Sequence, residues 1–234
     1  MTTHWLVRDP AGADGWEHGL PPGIGPAQWP RHRASGLPLV HGFTLRLPPE
    51  YQARGAGLSY FHPGDAESFP PDDDPAARVG EILAGGALGR GEAGHPFWEA
   101  LGAHARQRHP AAMVLTDILD HDHVILWHTP KQLTGPRCPR PETPLPEGID
   151  GEAMRLGEPV PDAVPLRLVE TEPERRLIQL GWPLHPVQLA ERDLRGLGFG
   201  ERVLEIETDV GGANYGDGNC QIDLDSGLLD WSCS

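Results

Sequence analysis

Near the C-terminal end three runs alternate apolar and polar residues with a period of two. Leu204 and Ile206 alternate with Glu205 and Glu207, Cys220, Ile222 and Leu224 with Gln221, Asp223 and Asp225, and Leu229, Trp231 and Cys233 with Asp230 and Ser232. Such alternation marks strands with one buried and one solvated face. Glycine-rich links, Gly211 to Asn219 and then Ser226-Gly227, join them into an antiparallel meander. With Ser226-Gly227 as a two-residue hairpin loop, Leu224 faces Leu229, Asp223 faces Asp230, Ile222 faces Trp231 and Cys220 faces Cys233. Polarity then matches on every rung except the one beside the turn, whereas a loop one residue longer would set apolar side chains against polar ones.

Upstream, the same reading predicts strands at Trp5 to Arg8, Leu39 to Leu47, Gly57 to His62, Val114 to Leu119, His123 to His128, Leu166 to Glu170 and Leu177 to Trp182. In the second of these, Leu39, His41, Phe43, Leu45 and Leu47 fall on one face. Helices are expected from Ala76 to Leu88, with Asp74 as N-cap and Pro75 in the first turn. Two more are expected from His95 to Arg108, where Phe97, Trp98, Leu101, His104 and Ala105 share a helical stripe, and from Val187 to Arg195. The Gly/Pro run from Gly19 to Pro30 is a loop held by Ile24 and Trp29. A proline-rich stretch from Thr129 to Pro165 is either a packed surface excursion or a join between two halves. The fold class that follows is α+β: a β-rich, mostly antiparallel sheet with a few short helices and a C-terminal β-meander, in one domain spanning residues 1–234 with a helical and acidic insertion near 65–110.

Composition narrows the function classes. The chain has 234 residues, Gly 30, Pro 26 and a formal net charge of −15. That charge argues against a nucleic-acid surface, which relies on cationic side chains to displace counterions, and favours a basic partner. No apolar run approaches the ~18 residues of a membrane span, and no apolar leader opens the chain. Three cysteines without a CxxC motif fit a reducing compartment, so a cytoplasmic location is expected.

Four segments, taken in order, resemble the YwqG-like family of bacterial proteins of unknown function. These are GLPPGIGPAQWP with GLPLVHGFTLRLPPEY, then HVILWHTPKQL, then LIQLGWPLHPVQL, and finally NYGDGNCQIDLDSGLLDWSCS. The match to the family's Gly-x-Pro, Trp-Pro and Gly-Asp-x-Gly positions spans most of the chain. Two features depart from the pattern: Thr44-Leu45-Arg46-Leu47 lacks the family's glutamine, and Asp65 to Arg108 reads as an insertion. The resemblance implies a β-rich α+β fold and company with toxin-immunity and other interaction proteins. It supplies no catalytic residues.

Candidate chemistry is sparse. His121 and His123, one residue apart on a strand, point to one side and could share a metal ion. Asp223 and Asp230, opposed across the last hairpin, could add oxygens together with Asp209, Asn214 and Asp217; the alternative is a solvated acidic face. Gly211-Gly212 and Gly216-Asp217-Gly218 lack the Lys-Ser/Thr and following helix of a phosphate loop, so turn chemistry accounts for them. No GxSxG is present, and Cys138 has no identifiable base. The expected function is therefore a non-enzymatic, acidic binding protein without cofactor or catalytic residues, of immunity type, that neutralises a basic toxin domain. Its contact residues would be Asp72, Asp73, Asp74, Glu205, Glu207, Asp223 and Asp230. The alternatives are a metal-dependent hydrolase on His121, His123 and the C-terminal aspartates, or a structural or regulatory module.

Overall fold

The alternating segments form a single sheet whose two edges come back toward each other. In the computed structural model, which describes residues 1–64, 74–149, 151–189 and 191–233, eleven antiparallel strands follow one another. They are β1 (His4–Arg8), β2 (Gly15–Glu17), β3 (Val40–Arg46), β4 (Gly57–His62), β5 (Ala112–Thr116), β6 (Asp122–His128), β7 (Val164–Val169), β8 (Ile178–Leu180), β9 (Val203–Glu207), β10 (Asn219–Asp223) and β11 (Leu229–Ser232). Their spatial order is β11-β10-β9-β8-β1-β7-β2-β3-β4-β6-β5. The edges β11 and β5 are brought together by Trp231, whose indole donates to Asp117 just beyond β5 at 3.2 Å, and by Gly227, which lies against Leu115 and Met113. The sheet is thus a nearly closed barrel. β7, which follows the proline-rich stretch, sits between β1 and β2, so the segments on either side of that stretch belong to one sheet.

The inward faces make one core of Leu6, Phe43, Leu45, Leu58, Tyr60, Ile125, Trp127, Leu166, Ile178, Leu204, Ile206 and Ile222. A second core lies outside β3, β4 and β6. There α1 (Asp74–Leu83) and α2 (Pro96–Gln107) bury Val79, Ile82, Phe97 and Leu101 against Leu39, Phe61, Val124 and Leu126. α2 starts where expected, with the His95 ring accepting from the Phe97 amide. α1 stops before Gly85, whose φ of +100° suits glycine. Residues 129–165 are a packed excursion: after α3 (Pro130–Leu133), Cys138 and Met154 bury in the second core with Leu145 and Leu156 against it. α4 covers only Glu191–Gly196, residues 187–189 being irregular.

Three sequence expectations need correction. β3 does not keep one register: a bulge between His41 and Phe43 turns His41 away from Phe43 and Leu45 and onto Thr44, with His41 Nε2 2.9 Å from Thr44 Oγ1. The last hairpin pairs Ile222 with Leu229, Gln221 with Asp230 and Cys220 with Trp231, not Cys220 with Cys233 or Asp223 with Asp230. The cause is Asp223, whose Oδ1 accepts from the Asp225 and Ser226 amides at 2.8 and 2.6 Å while the Gly227 amide donates to its carbonyl. This lengthens the loop to Leu224–Gly227 and shifts the register by two residues, which leaves every side chain on its expected face. Finally, the polar face of the meander is not solvated. Glu205, Asn219, Gln221 and Asp223 are buried, roofed by a small apolar cluster of Leu184, Leu194, Phe199 and Val203.

The cysteines give a direct check on this corrected register. Cys138 and Cys220 are buried and Cys233 is half-buried. Titration of the native protein with a thiol reagent is expected to label Cys233 alone, the other two reacting only on unfolding. Cys220 reacting in the native state as fast as Cys233 would contradict this arrangement of β10 and β11.

Candidate functional site

The β5–β6 turn is built around one carboxylate. Asp117 Oδ1 accepts from the amides of Leu119 and His121, both at 2.9 Å, which is the way a short acidic side chain closes a turn on itself. Its Oδ2 faces inward and accepts from His123 Nε2 and Trp231 Nε1, each at 3.2 Å, with His121 Nδ1 3.5 Å away. The period-two spacing of His121 and His123 therefore does place both rings on one side, on a shared carboxylate.

Behind His123 the hydrogen bonds continue into the barrel. His123 Nδ1 lies 2.6 Å from Tyr60 Oη, Tyr60 Oη meets Tyr215 Oη, and Tyr215 in turn meets the Cys220 thiol. With Asp117 as the ionised acceptor, one ordering satisfies every member. Cys220 donates to Tyr215, Tyr215 to Tyr60, Tyr60 to His123 and His123 to Asp117. The rings are stacked as well as bonded, with centroids of Tyr60 and His123 5.9 Å apart and of Phe43 and Tyr60 5.1 Å apart. Desolvation pushes the Asp117 carboxyl up, but the hydrogen bonds from His123 and the His121 amide outweigh it and hold the group at about 2.

The thiol and the two phenols of this row stay protonated near neutral pH. Burial drives the Cys220 thiol and both tyrosine hydroxyls well above their ordinary values, so none is a nucleophile or base, which needs a pKa near the working pH. Burial raises the Cys138 thiol too. Asp117, His121 and His123 do come together, but Asp117 is taken up by two amides and the Trp231 indole, and among the described residues no group of three His, Cys, Asp or Glu side chains could hold a metal ion. The C-terminal aspartates do not join the histidine pair: Asp223 is committed to the amides of Gly200, Asp225 and Ser226, and Asp230 stands opposite Gln221.

Two further polar networks lie on the outer faces of the sheet. His41, Thr44, Ser59 and His128 run across β3, β4 and β6, with Thr44 Oγ1 2.7 Å from Ser59 Oγ and Ser59 Oγ 2.8 Å from His128 Nε2. Under the roof of the meander, Glu205 Oε2 accepts from the His185 amide at 2.7 Å and from Gln221 Nε2 at 3.0 Å, and Asn219 Nδ2 donates to the His185 carbonyl at 2.8 Å. The glycine-rich link is turn structure, as expected. Gly211, at φ +63°, presses on β3 so closely that a Cβ would come within 2.3 Å of the Gly42 carbonyl oxygen.

The acidic contact residues expected from sequence are thus redistributed. Glu205 and Asp223 are buried and cannot meet a partner, while Glu207 and Asp230 are half-buried, with carboxyls that burial pushes up. Asp74 opens α1, and Asp72 and Asp73 lie outside the described residues. The exposed carboxylates gather elsewhere, on the excursion and the β7–β8 connection: Glu147, Glu158, Asp162, Glu170 and Glu174 all face solvent. Between residues 142 and 174 nine carboxylates stand against two arginines. No helix among the described residues is long and apolar enough to cross a membrane. No protein-family model, no curated protein and no solved structure matches the chain.

Proposed function

We propose that this chain is a non-enzymatic binding protein that acts by direct contact with a basic protein, as an immunity protein does on a toxin domain, in a bacterial cytoplasm. The observation that carries this reading is the way the polar residues divide. Side chains of catalytic type, from Asp117 to Cys220 and from His41 to His128, are buried and hydrogen-bonded to one another. Exposed carboxylates gather instead along residues 142–174, at Glu147, Glu158, Asp162, Glu170 and Glu174. Charge placed on loops over a rigid sheet steers an oppositely charged partner and sets its rate of capture. The resemblance of four segments to the YwqG-like family points the same way, toward immunity and interaction proteins. A hydrolase on His121 and His123 would need a third metal ligand, and Asp117, the carboxylate that both rings meet, is already taken up by two amides and the Trp231 indole; no group of three among the described residues could hold a metal ion.

Expression of the gene neighbouring this chain's own, alone and together with this chain, tests the proposal. The expected result is growth arrest by the neighbour alone and recovery on co-expression, with recovery diminished when Glu147, Asp162, Glu170 and Glu174 are replaced by their amides. A neighbour that is harmless, or whose harm co-expression leaves unchanged, would overturn the immunity reading.

A further inference from the structure

Outside β5 and β6, where the ends of α1 and α2 meet the loop that follows Trp29, the surface opens into a cavity of about 230 Å³. Its walls are apolar: Pro30, Leu83, Ala112, Val114, Val124 and Leu126. Three guanidiniums, of Arg31, Arg33 and Arg108, and one carboxylate, Asp122, join them, with Gln28, His104, His109 and Thr116 as the neutral polar part of the lining. In a chain of net charge −15, a concave site with excess positive charge runs against the whole molecule and calls for a local reason.

The three arginines are not equivalent. Arg33 is half exposed and already paired, with Asp120 and with Asp122, whose Oδ1 lies 3.5 Å from its Nε. Arg108 donates to the Leu83 carbonyl at the end of α1. Arg31 is buried, only 7% exposed. Its Nη1 donates to the Gly36 carbonyl at 2.7 Å, its Nε has no partner, and among the described residues no carboxylate pairs with it. Burial alone pulls its pKa down to about 10, so it keeps its charge at neutral pH. His104, beside it, is drawn down to about 4 chiefly by burial and stays neutral, with its Nδ1 bonded to the Ala27 carbonyl at 2.9 Å. Buried charges in proteins are paired almost without exception, because an unpaired one forfeits its hydration with nothing in return. A buried arginine aimed into a cavity and lacking an acid of its own is an anion receptor, and its planar fork suits a carboxylate held by two parallel hydrogen bonds.

From the cavity, the unpaired Arg31 and the apolar walls, we infer that this site binds a small monocarboxylate with a short apolar body. The carboxylate meets Arg31, and the body lies on Val114, Val124 and Leu126. Size sets the class: the cavity falls below the roughly 300–1,000 Å³ of pockets for drug-sized ligands. Charge narrows it further. A single unpaired guanidinium matches one negative charge, and the apolar walls match a hydrocarbon body, which inorganic phosphate lacks. The inference stands apart from the partner reading, since the exposed acidic stretch contributes nothing to this cavity.

An NMR titration of the whole chain with hexanoate, hexanol and inorganic phosphate, each added separately, tests it. Hexanoate is expected to shift the resonances of Val114, Val124 and Leu126 with saturation in the millimolar range or below. Hexanol and phosphate should bind about tenfold more weakly or not at all. Arg31→Met should weaken hexanoate by about tenfold or more. If Arg31→Met lowers the melting temperature, Val114→Glu decides the matter instead: that side chain is 63% exposed, and a carboxylate placed there should repel hexanoate without harm to the fold. Hexanoate that fails to saturate, hexanol or phosphate that binds as tightly, or variants that leave hexanoate unaffected would each overturn the inference.

Discussion

Replacing Asp117 by alanine is expected to lower the free energy of unfolding by about 3–5 kcal/mol, the range for removing one member of a buried, charged network. The side chain is only 4% exposed, and its two oxygens hold the amides of Leu119 and His121, the ring of His123 and the indole of Trp231. Alanine would leave His123 and Trp231 unpaired at the meeting of the two sheet edges, and each unsatisfied buried donor costs about 1–3 kcal/mol. Asp117→Asn keeps an acceptor oxygen and should cost less than half as much. Urea unfolding of the three proteins checks this. A loss below about 1 kcal/mol for alanine would mean that the edges are not held at this carboxylate.

Acid should unfold the protein well above the pH at which carboxylates usually protonate. Burial lowers six histidines from 6.5: His18 and His109 move down, and four go further, His32, His104 and His128 to about 4 and His41 to about 3. Unfolded, these four bind protons below pH 6.5; folded, they do not until pH falls to about 4. The stability they contribute is therefore complete above pH 6.5 and is lost as pH falls from there through the folded values. At about 1.4 kcal/mol per pKa unit, each contributes a loss of about 2 kcal/mol between pH 7 and pH 5. Four such losses rival the ~5–15 kcal/mol that holds an ordinary domain together. Asp122, Glu207 and Asp230, whose carboxyls burial raises, lean the other way. Asp117, held at about 2, adds its own loss only as pH falls from 3.8 toward that value. Melting temperatures across pH 7 to 4 should therefore fall most steeply between about 6.5 and 4. A curve flat down to pH 4 would show that these rings are solvated.

The strands were legible in the sequence because alternation survives whatever covers the second face, and for the same reason the solvation of that face was not. Glu205, Gln221 and Asp223 are polar, yet they are buried by hydrogen-bonding to one another, to the His185 and Gly200 amides and to their own turn. Periodicity cannot tell water from such partners. The two-residue error at the last hairpin arose from a side chain: Asp223 caps the turn from inside the strand, and a register argument that weighs only polarity is blind to shifts of two. β2 has three residues, too few for a period, and the bulge beside Gly42 leaves no mark beyond one glycine.

Of the inner row, only the His121–His123 pair announced itself. Tyr60 and Tyr215 lie far apart in the chain and meet only because β4 and the β9–β10 link line one barrel. Arg31 carried no signal either, since the absence of an acid partner becomes visible only once its neighbours are in place.

The most direct measurement is the association rate of this chain with the basic partner proposed for it, followed by stopped flow as salt is raised from about 50 to about 200 mM. If charge on residues 142–174 guides the partner, the rate should fall by about tenfold over that range. The amide-substituted chain, with Glu147, Asp162, Glu170 and Glu174 neutralised, should start slow and lose most of its dependence on salt. Equal rates for the two chains at every salt concentration would contradict it.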